Sequence, residues 1–123
     1  MKKKKILVVE DDPLNMELVT DLLEVAGYMV LQALTANEGI ELARTEKPEL
    51  ILMDIRLPDI DGLTATRILK EDPLTGQISV VCLTASVMPG DEQRSLEAGC
   101  KGFIRKPIDT RAFAESVTAF IGT

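Results

Sequence analysis

Four short apolar runs in this sequence each stop at a residue that can do chemistry. Ile6-Leu7-Val8-Val9 runs into Glu10-Asp11-Asp12, and Leu50-Ile51-Leu52-Met53 into Asp54. Val80-Val81-Cys82-Leu83 ends at Thr84, and Phe103-Ile104-Arg105 at Lys106. Carboxylates crowded together repel one another and favour a hard divalent cation bound through oxygen. Mg2+ takes a carboxylate or two and keeps water and phosphate oxygens in the rest of its shell. A carboxylate beside such an ion can attack phosphorus and form an acyl phosphate. The phosphoryl group carries spread negative charge, which an ammonium can neutralise and a hydroxyl can hydrogen-bond. Acids, hydroxyl and ammonium gathered on one rim would suit phosphoryl transfer to an aspartate.

These groups are far apart in sequence, so the fold must gather them. Lys5 to Glu10 reads as a buried strand. Leu14, Leu18, Leu22 and Val25 then recur at helical spacing, with Asp12 as cap, Pro13 at the first turn and Gly27 as the stop. Met29 to Ala33 is a second strand. Thr35-Ala36-Asn37-Glu38 fits a capping box for a helix that Pro48 breaks. Leu50 to Met53 is a third strand, and Leu63 to Glu71 a helix closed by Asp72-Pro73. Ser79 to Leu83 is a fourth strand, followed by a helix opened by Pro89 and closed by Gly99. Gly102 to Arg105 is a short fifth strand, and Asp109 caps a last helix burying Phe113, Val117 and Phe120. Strand then helix, repeated throughout, predicts an α/β fold: a five-stranded parallel sheet with helices on both faces. Ligands of such open sheets bind beyond the carboxyl ends of the strands, which is where Glu10, Asp11, Asp54, Thr84 and Lys106 fall.

The 123 residues make one ordinary domain, 1–123, with no repeat or linker. With no Trp and few aromatics, its core must be aliphatic. The net charge of -6 argues against a general nucleic-acid surface or a membrane surface. The lysines at 2–5 precede an apolar run too short for a signal peptide, and no run is long enough to cross a bilayer. The chain has no His, and Cys82 and Cys100 form no CxxC pattern. Zinc, Ser-His and Cys-His chemistry are therefore poor readings. Reduced thiols and a cytoplasmic location are the expectation.

Taken together, "ILVVEDD", "LILMDIRLPDIDG", "VVCLTA" and "FIRKPID" resemble the response-regulator receiver domains of two-component signalling, the CheY-like superfamily. The resemblance covers essentially the whole chain. Its longer strings are most like stand-alone regulators and receivers attached to hybrid kinases. It implies a doubly wound, flavodoxin-like sheet in the order 2-1-3-4-5 with five helices. Asp54 matches the phosphoacceptor. Glu10 and Asp11 match the acidic pair, with Asp11 a direct Mg2+ ligand and Glu10 acting through water; the backbone carbonyl of Arg56 would be a further ligand, and Mn2+ could replace Mg2+. Thr84 and Lys106 match the switch hydroxyl and the phosphate-pairing lysine, and Phe103 the aromatic that changes rotamer with Thr84. The backbone amides of Ile55 and Ala85 would face the phosphate. Lys106-Pro107 matches a peptide bond that is usually cis in the family.

The resemblance further implies a histidine kinase or histidine phosphotransfer protein as phosphoryl donor. Output would pass to a protein partner through the face made by the fourth helix, fifth strand and fifth helix, or by relay, with no DNA-binding output domain. Arg56 and Ser86 stand where the family tunes attack by water. Neither is an acid or amide, so slow self-hydrolysis is expected rather than conventional enzymatic turnover.

Blander readings attach to several of these residues. Asp12 is better explained as a helix cap than as a ligand. Asp59 and Asp61 belong to a D-x-D-G pattern, but Leu57 and Ile68 occupy positions where a calcium loop needs acids, so both are assigned to a turn. Phe103 could be plain core. A dehalogenase-type phosphatase also uses an aspartate nucleophile, yet needs D-x-D-x-T after its first strand, where Glu10-Asp11-Asp12-Pro13 stands. A phosphorylation-independent binding module on the same fold would have no need of the rim residues. Flavodoxin is a fold analogue only, since no Ser/Thr-rich phosphate loop follows strand one.

Overall fold

The structure, a computed structural model, describes residues 3–85 and 90–122. Five strands alternate with five helices: β1 Lys5–Val9, α1 Pro13–Val25, β2 Met29–Ala33, α2 Ala36–Glu46, β3 Leu50–Asp54, α3 Gly62–Glu71, β4 Ser79–Thr84, α4 Asp91–Ala98, β5 Gly102–Arg105 and α5 Phe113–Gly122. All strand pairs are parallel, in the order β2-β1-β3-β4-β5. That is the expected doubly wound arrangement. The chain passes from β1 outward to β2, then returns to lay β3 on the other side of β1. Such a reversal opens a crevice at the carboxyl ends of the two central strands.

The continuous apolar runs are explained by burial on both faces. Side chains alternate across a strand, so Leu7, Val9, Ile51, Met53, Val80 and Cys82 meet α2 and α3 in one core layer. Ile6, Val8, Leu50, Leu52, Val81 and Leu83 meet α1 and α5 in the other. Among the described residues no helix is long and apolar enough to cross a membrane.

Helix ends follow their sequence signals with local differences. The Asp12 carboxylate accepts from the Leu14 amide, with Pro13 at N1. Gly27, at φ 97°, takes the left-handed conformation that ends α1. The Thr35 hydroxyl accepts from the Glu38 amide as a capping box requires, but Glu38 reaches back to the Leu34 amide rather than to Thr35. Asp109 caps a turn at Arg111, and α5 proper starts at Phe113. The expected start of α4 at Pro89 lies outside the described residues, where Gly90 is the first to be placed.

The helix that Leu14, Leu18, Leu22 and Val25 announce is present, but its buried face is another row: Leu14 is 77% exposed and Val25 89%, while Met16, Val19 and Leu23 are buried. Steps of four residues drift about 40° around a helix each time, so the Leu14 row winds off the sheet while the i, i+3, i+7 row stays on it. Phe120 is only partly buried, at the edge of the core layer that holds Phe113 and Val117. Nor are Cys82 and Cys100 unrelated thiols. Their Cα atoms are 6.5 Å apart and their sulfurs meet, because Cys100, just past α4, falls in the same core layer as Cys82.

Candidate functional site

Strand register determines which side chains reach the rim. Val9 pairs with Ala33 on one side and Met53 on the other, so Glu10 and Asp54 emerge side by side, one residue past each. Asp54 is opposite Leu83, and Thr84 is opposite Arg105, which brings Thr84 and Lys106 to the same edge. The Lys106 amide then donates to the Thr84 carbonyl at 2.8 Å. Lys106-Pro107 is cis, as the resemblance implied.

A cleft of about 250 Å³ opens at this rim, lined by Glu10, Asp11, Asp12, Asp54, Ile55, Arg56, Thr84, Ala85 and Lys106. Asp54 is buried at its floor. One carboxylate oxygen of Asp54 accepts from the Arg56 amide at 3.1 Å, and the other from the Lys106 ammonium at 3.1 Å. Lys106 also donates to both oxygens of Glu10, at 3.0 and 3.1 Å. The ammonium thus bridges two buried carboxylates, without which they would repel at short range.

The electrostatics follow from this packing. Burial is the main influence on Glu10, reinforced by Asp54, and pushes its carboxyl up to about 7 against the opposing pull of Asn15 and Lys106. Burial also works against the Lys106 ammonium, but Glu10 and Asp54 outweigh it and raise its pKa.

Glu10, Asp11 and Asp54 each offer a carboxylate oxygen, and these lie within 4.8 Å of one another. Asp11 is exposed at the mouth of the cleft, while Glu10 and Asp54 are buried. An all-oxygen donor set with one open side fits Mg2+, which keeps part of its water shell. It does not fit zinc in a closed structural site, which takes nitrogen and sulfur ligands.

Not every expected residue stands in the cleft. Phe103 is half-buried, one strand away, packed against the α2–α3 core layer and lining a second cavity with Ile104, Pro107 and Phe113. Ser86 lies outside the described residues. The Ile55 amide, expected to face a phosphate, instead donates to the Leu83 carbonyl at 3.2 Å, because sheet pairing continues one residue past Asp54. The amide aimed at the Asp54 carboxylate is that of Arg56.

Two residues contribute here beyond those that the sequence places at the rim. Asn15 donates its side-chain amide to Glu10 at 2.9 Å. Its signal is a polar residue in the first turn of α1, between Leu14 and Met16. Asp59 is more than a turn residue: its two oxygens accept the Ala36 and Asn37 amides, each at 2.9 Å, across the loop between β3 and α3. No local pattern announces a contact made over more than twenty residues. Asp61 caps α3 through the Thr64 amide and hydroxyl.

Known proteins are similar to this chain in sequence and fold. The chain is 42% identical over 119 residues to the polar-differentiation response regulator DivK of Brucella anthropi, covering 97% of both chains. The receiver domain of the sensor histidine kinase PA1611 of Pseudomonas aeruginosa PAO1 superposes with a TM-score of 0.91 at 30% identity, over 99% of this chain and all of that one; that structure holds a magnesium ion in its active-site cleft. The signal receiver domain of a signal transduction histidine kinase from Syntrophus aciditrophicus gives a TM-score of 0.88 at 34% identity, over 97% of this chain and 90% of that one. Residues 6–118 match the response regulator receiver domain family, and by sequence, topology and the acidic cleft between β1 and β3 the chain belongs to it.

Proposed function

We propose that this receiver domain accepts a phosphoryl group on Asp54 from a phosphohistidine of a histidine kinase or phosphotransfer protein, in the cytoplasm. The observation that carries the reading is the placement of Asp54: buried, flanked by Glu10 and Asp11, and paired with Lys106 at 3.1 Å. The chain contains no His, so the phosphohistidine belongs to the partner. An Asp54 oxygen attacks phosphorus; a P–O bond forms as the P–N bond to the partner's imidazole breaks, and the ring nitrogen keeps that electron pair.

Mg2+ held by Glu10, Asp11, Asp54 and the Arg56 carbonyl would supply positive charge opposite the transferred oxygens. Lys106, 3.1 Å from Asp54, supplies the second positive charge. Arg56, whose amide donates to Asp54, lines the cleft together with Thr84 and Ala85.

Once negative charge is added to Asp54, Lys106 has a stronger partner than Glu10, and Thr84 gains an acceptor. Both residues connect to β5: Thr84 by register to Arg105 and Lys106 by sequence. Arg105 in turn pairs with Glu92 of α4 at 2.9 Å. Rearrangement at the rim therefore reaches α4, β5 with Phe103, and α5, the face we assign to a downstream protein partner. Self-hydrolysis is slow in this reading, since Arg56 offers no acid or amide side chain to orient a water.

Incubation with Mg2+ and acetyl phosphate, followed by intact-mass analysis, tests the assignment. One phosphoryl group should add, persist well beyond seconds after donor removal, and be absent from Asp54→Asn. Equal labelling of Asp54→Asn would refute the phosphoacceptor.

A further inference from the structure

The segment between β3 and α3 carries Arg56, which lines the cleft and donates its amide to Asp54. It is a seven-residue path, 55 to 61, and it is fastened at three points. At its neck the Gly62 amide donates to the Ile55 carbonyl at 2.7 Å. At its exit Asp61 caps α3. At its tip Asp59 reaches away from its own neighbours and takes the first two amides of α2, Ala36 and Asn37.

The fixed partner in this contact is the helix. Gly39 of α2 lies so close to β1 that a Cβ there would come within 2.6 Å of the Val9 side chain, and Ala36, Ile40 and Ala43 are buried in the core layer. Val9 directly precedes Glu10, whose amide donates to Ala33 at 2.9 Å, just ahead of α2. The same anchored helix start is therefore the reference for both sides of the cleft. It holds Glu10 and Asp11 through β1 and β2, and it holds the loop bearing Arg56 through Asp59.

Thr35 already caps α2 locally, through the Glu38 amide. A remote carboxylate that takes the next two amides adds something a local cap cannot, a tie between elements. The helix start carries partial positive charge, and Asp59 neutralises it. Although burial acts the other way, the amide bonds hold its carboxyl below the ordinary range, so it is ionised and accepting at neutral pH.

We propose that Asp59 is a positioning residue for the cation site, setting the place of the Arg56 carbonyl by clamping the β3–α3 loop to the start of α2. The inference rests on the reading that Glu10, Asp11, Asp54 and the Arg56 carbonyl bind Mg2+.

The test is Mg2+ affinity by titration calorimetry, with urea unfolding as a check on the fold, for wild type, Asp59→Ala, Asp59→Asn and Thr35→Ala. Asp59→Ala should weaken Mg2+ binding roughly tenfold, as loss of groups that orient metal ligands does. Asp59→Asn keeps one acceptor oxygen and should fall between; it carries the test if the alanine variant does not fold. Thr35→Ala removes the neighbouring cap and costs α2 similar stability, yet should keep wild-type affinity. In acetyl phosphate labelling, Asp59→Ala should need more Mg2+ for half-maximal rate and reach the wild-type rate at saturation. Wild-type affinity in both Asp59 variants overturns the inference, as does equal weakening by Thr35→Ala, which would make the effect one of helix stability. A wild-type chain that binds no Mg2+ removes the cation reading itself, and this inference with it.

Discussion

Three aspartates within eight residues, Asp54, Asp59 and Asp61, have three different environments, two of them set by neighbours distant in sequence. Asp54 is buried with an ammonium; Asp59 sits on a remote helix start; Asp61 caps the helix it precedes. The Asp61 role is the one local chemistry can predict fully. The Thr64 amide is its main support and outweighs the opposing effect of burial; with the Thr64 hydroxyl it lowers the Asp61 pKa. A carboxyl lowered by folding adds stability that is present above its unfolded pKa, about 4, and lost as pH falls through the folded value. Asp61→Ala should therefore cost about 1 kcal/mol at neutral pH, with the gap to wild type closing as the pH is taken below about 4. Paired urea melts at pH 7 and in acid measure this; a gap independent of pH would mean that Asp61 acts other than through its charge. The sequence identifies Asp54 by company, since Glu10, Asp11, Thr84 and Lys106 end other strands. It is silent on Asp59, because hydrogen bonds across two loops leave no spacing to read.

At the scale of elements, strands and helix types are legible because apolar runs and helical rows are long-lived signals, whereas the rotation of a helix about its own axis is not. Both rows of α1 are apolar, and contact with the sheet, not composition, selects Met16, Val19 and Leu23. The meeting of Cys82 and Cys100 is likewise a product of how α4 returns. Gly62 is a further case: read as a turn residue, it proves to be the first residue of α3, pressed against the strand that bears Asp54. A Cβ built there would stand 2.2 Å from the Asp54 carbonyl oxygen and 2.9 Å from the Ile55 Cα. Backbone cannot move aside as a flexible side chain can. Gly62→Ala should cost about 2–3 kcal/mol and displace α3 from the end of β3. Urea denaturation gives the first quantity, and amide chemical shifts of 54–62 report the second. A neutral outcome would mean that the helix start shifts freely, so that the loop does not depend on this close approach.

At the scale of the whole molecule, the topology matters more than any single residue. Order 2-1-3-4-5 was legible from alternating strands and helices joined to a resemblance, and it puts the carboxyl ends of β1 and β3 side by side. Folding must therefore bring Glu10, Asp11 and Asp54 together against their mutual repulsion, in a chain of net charge -6. Lys106 offsets part of that repulsion, and burial still pushes the Glu10 carboxyl up. An ion bound across these two strand ends exists only in the folded chain, so its binding free energy adds to the stability of the entire domain. At a Mg2+ concentration one hundred times the dissociation constant, the gain should be about 2.7 kcal/mol, raising the unfolding midpoint by roughly 10 °C for a domain of this size. Asp11→Asn removes an exposed donor without disturbing the core and should lose most of this gain while unfolding normally in its absence. Scanning calorimetry across a Mg2+ series, for wild type and Asp11→Asn, gives the comparison. Equal stabilisation of both would place the ion elsewhere on this acidic surface, and a midpoint unmoved by Mg2+ would mean that the cluster is held together by Lys106 alone.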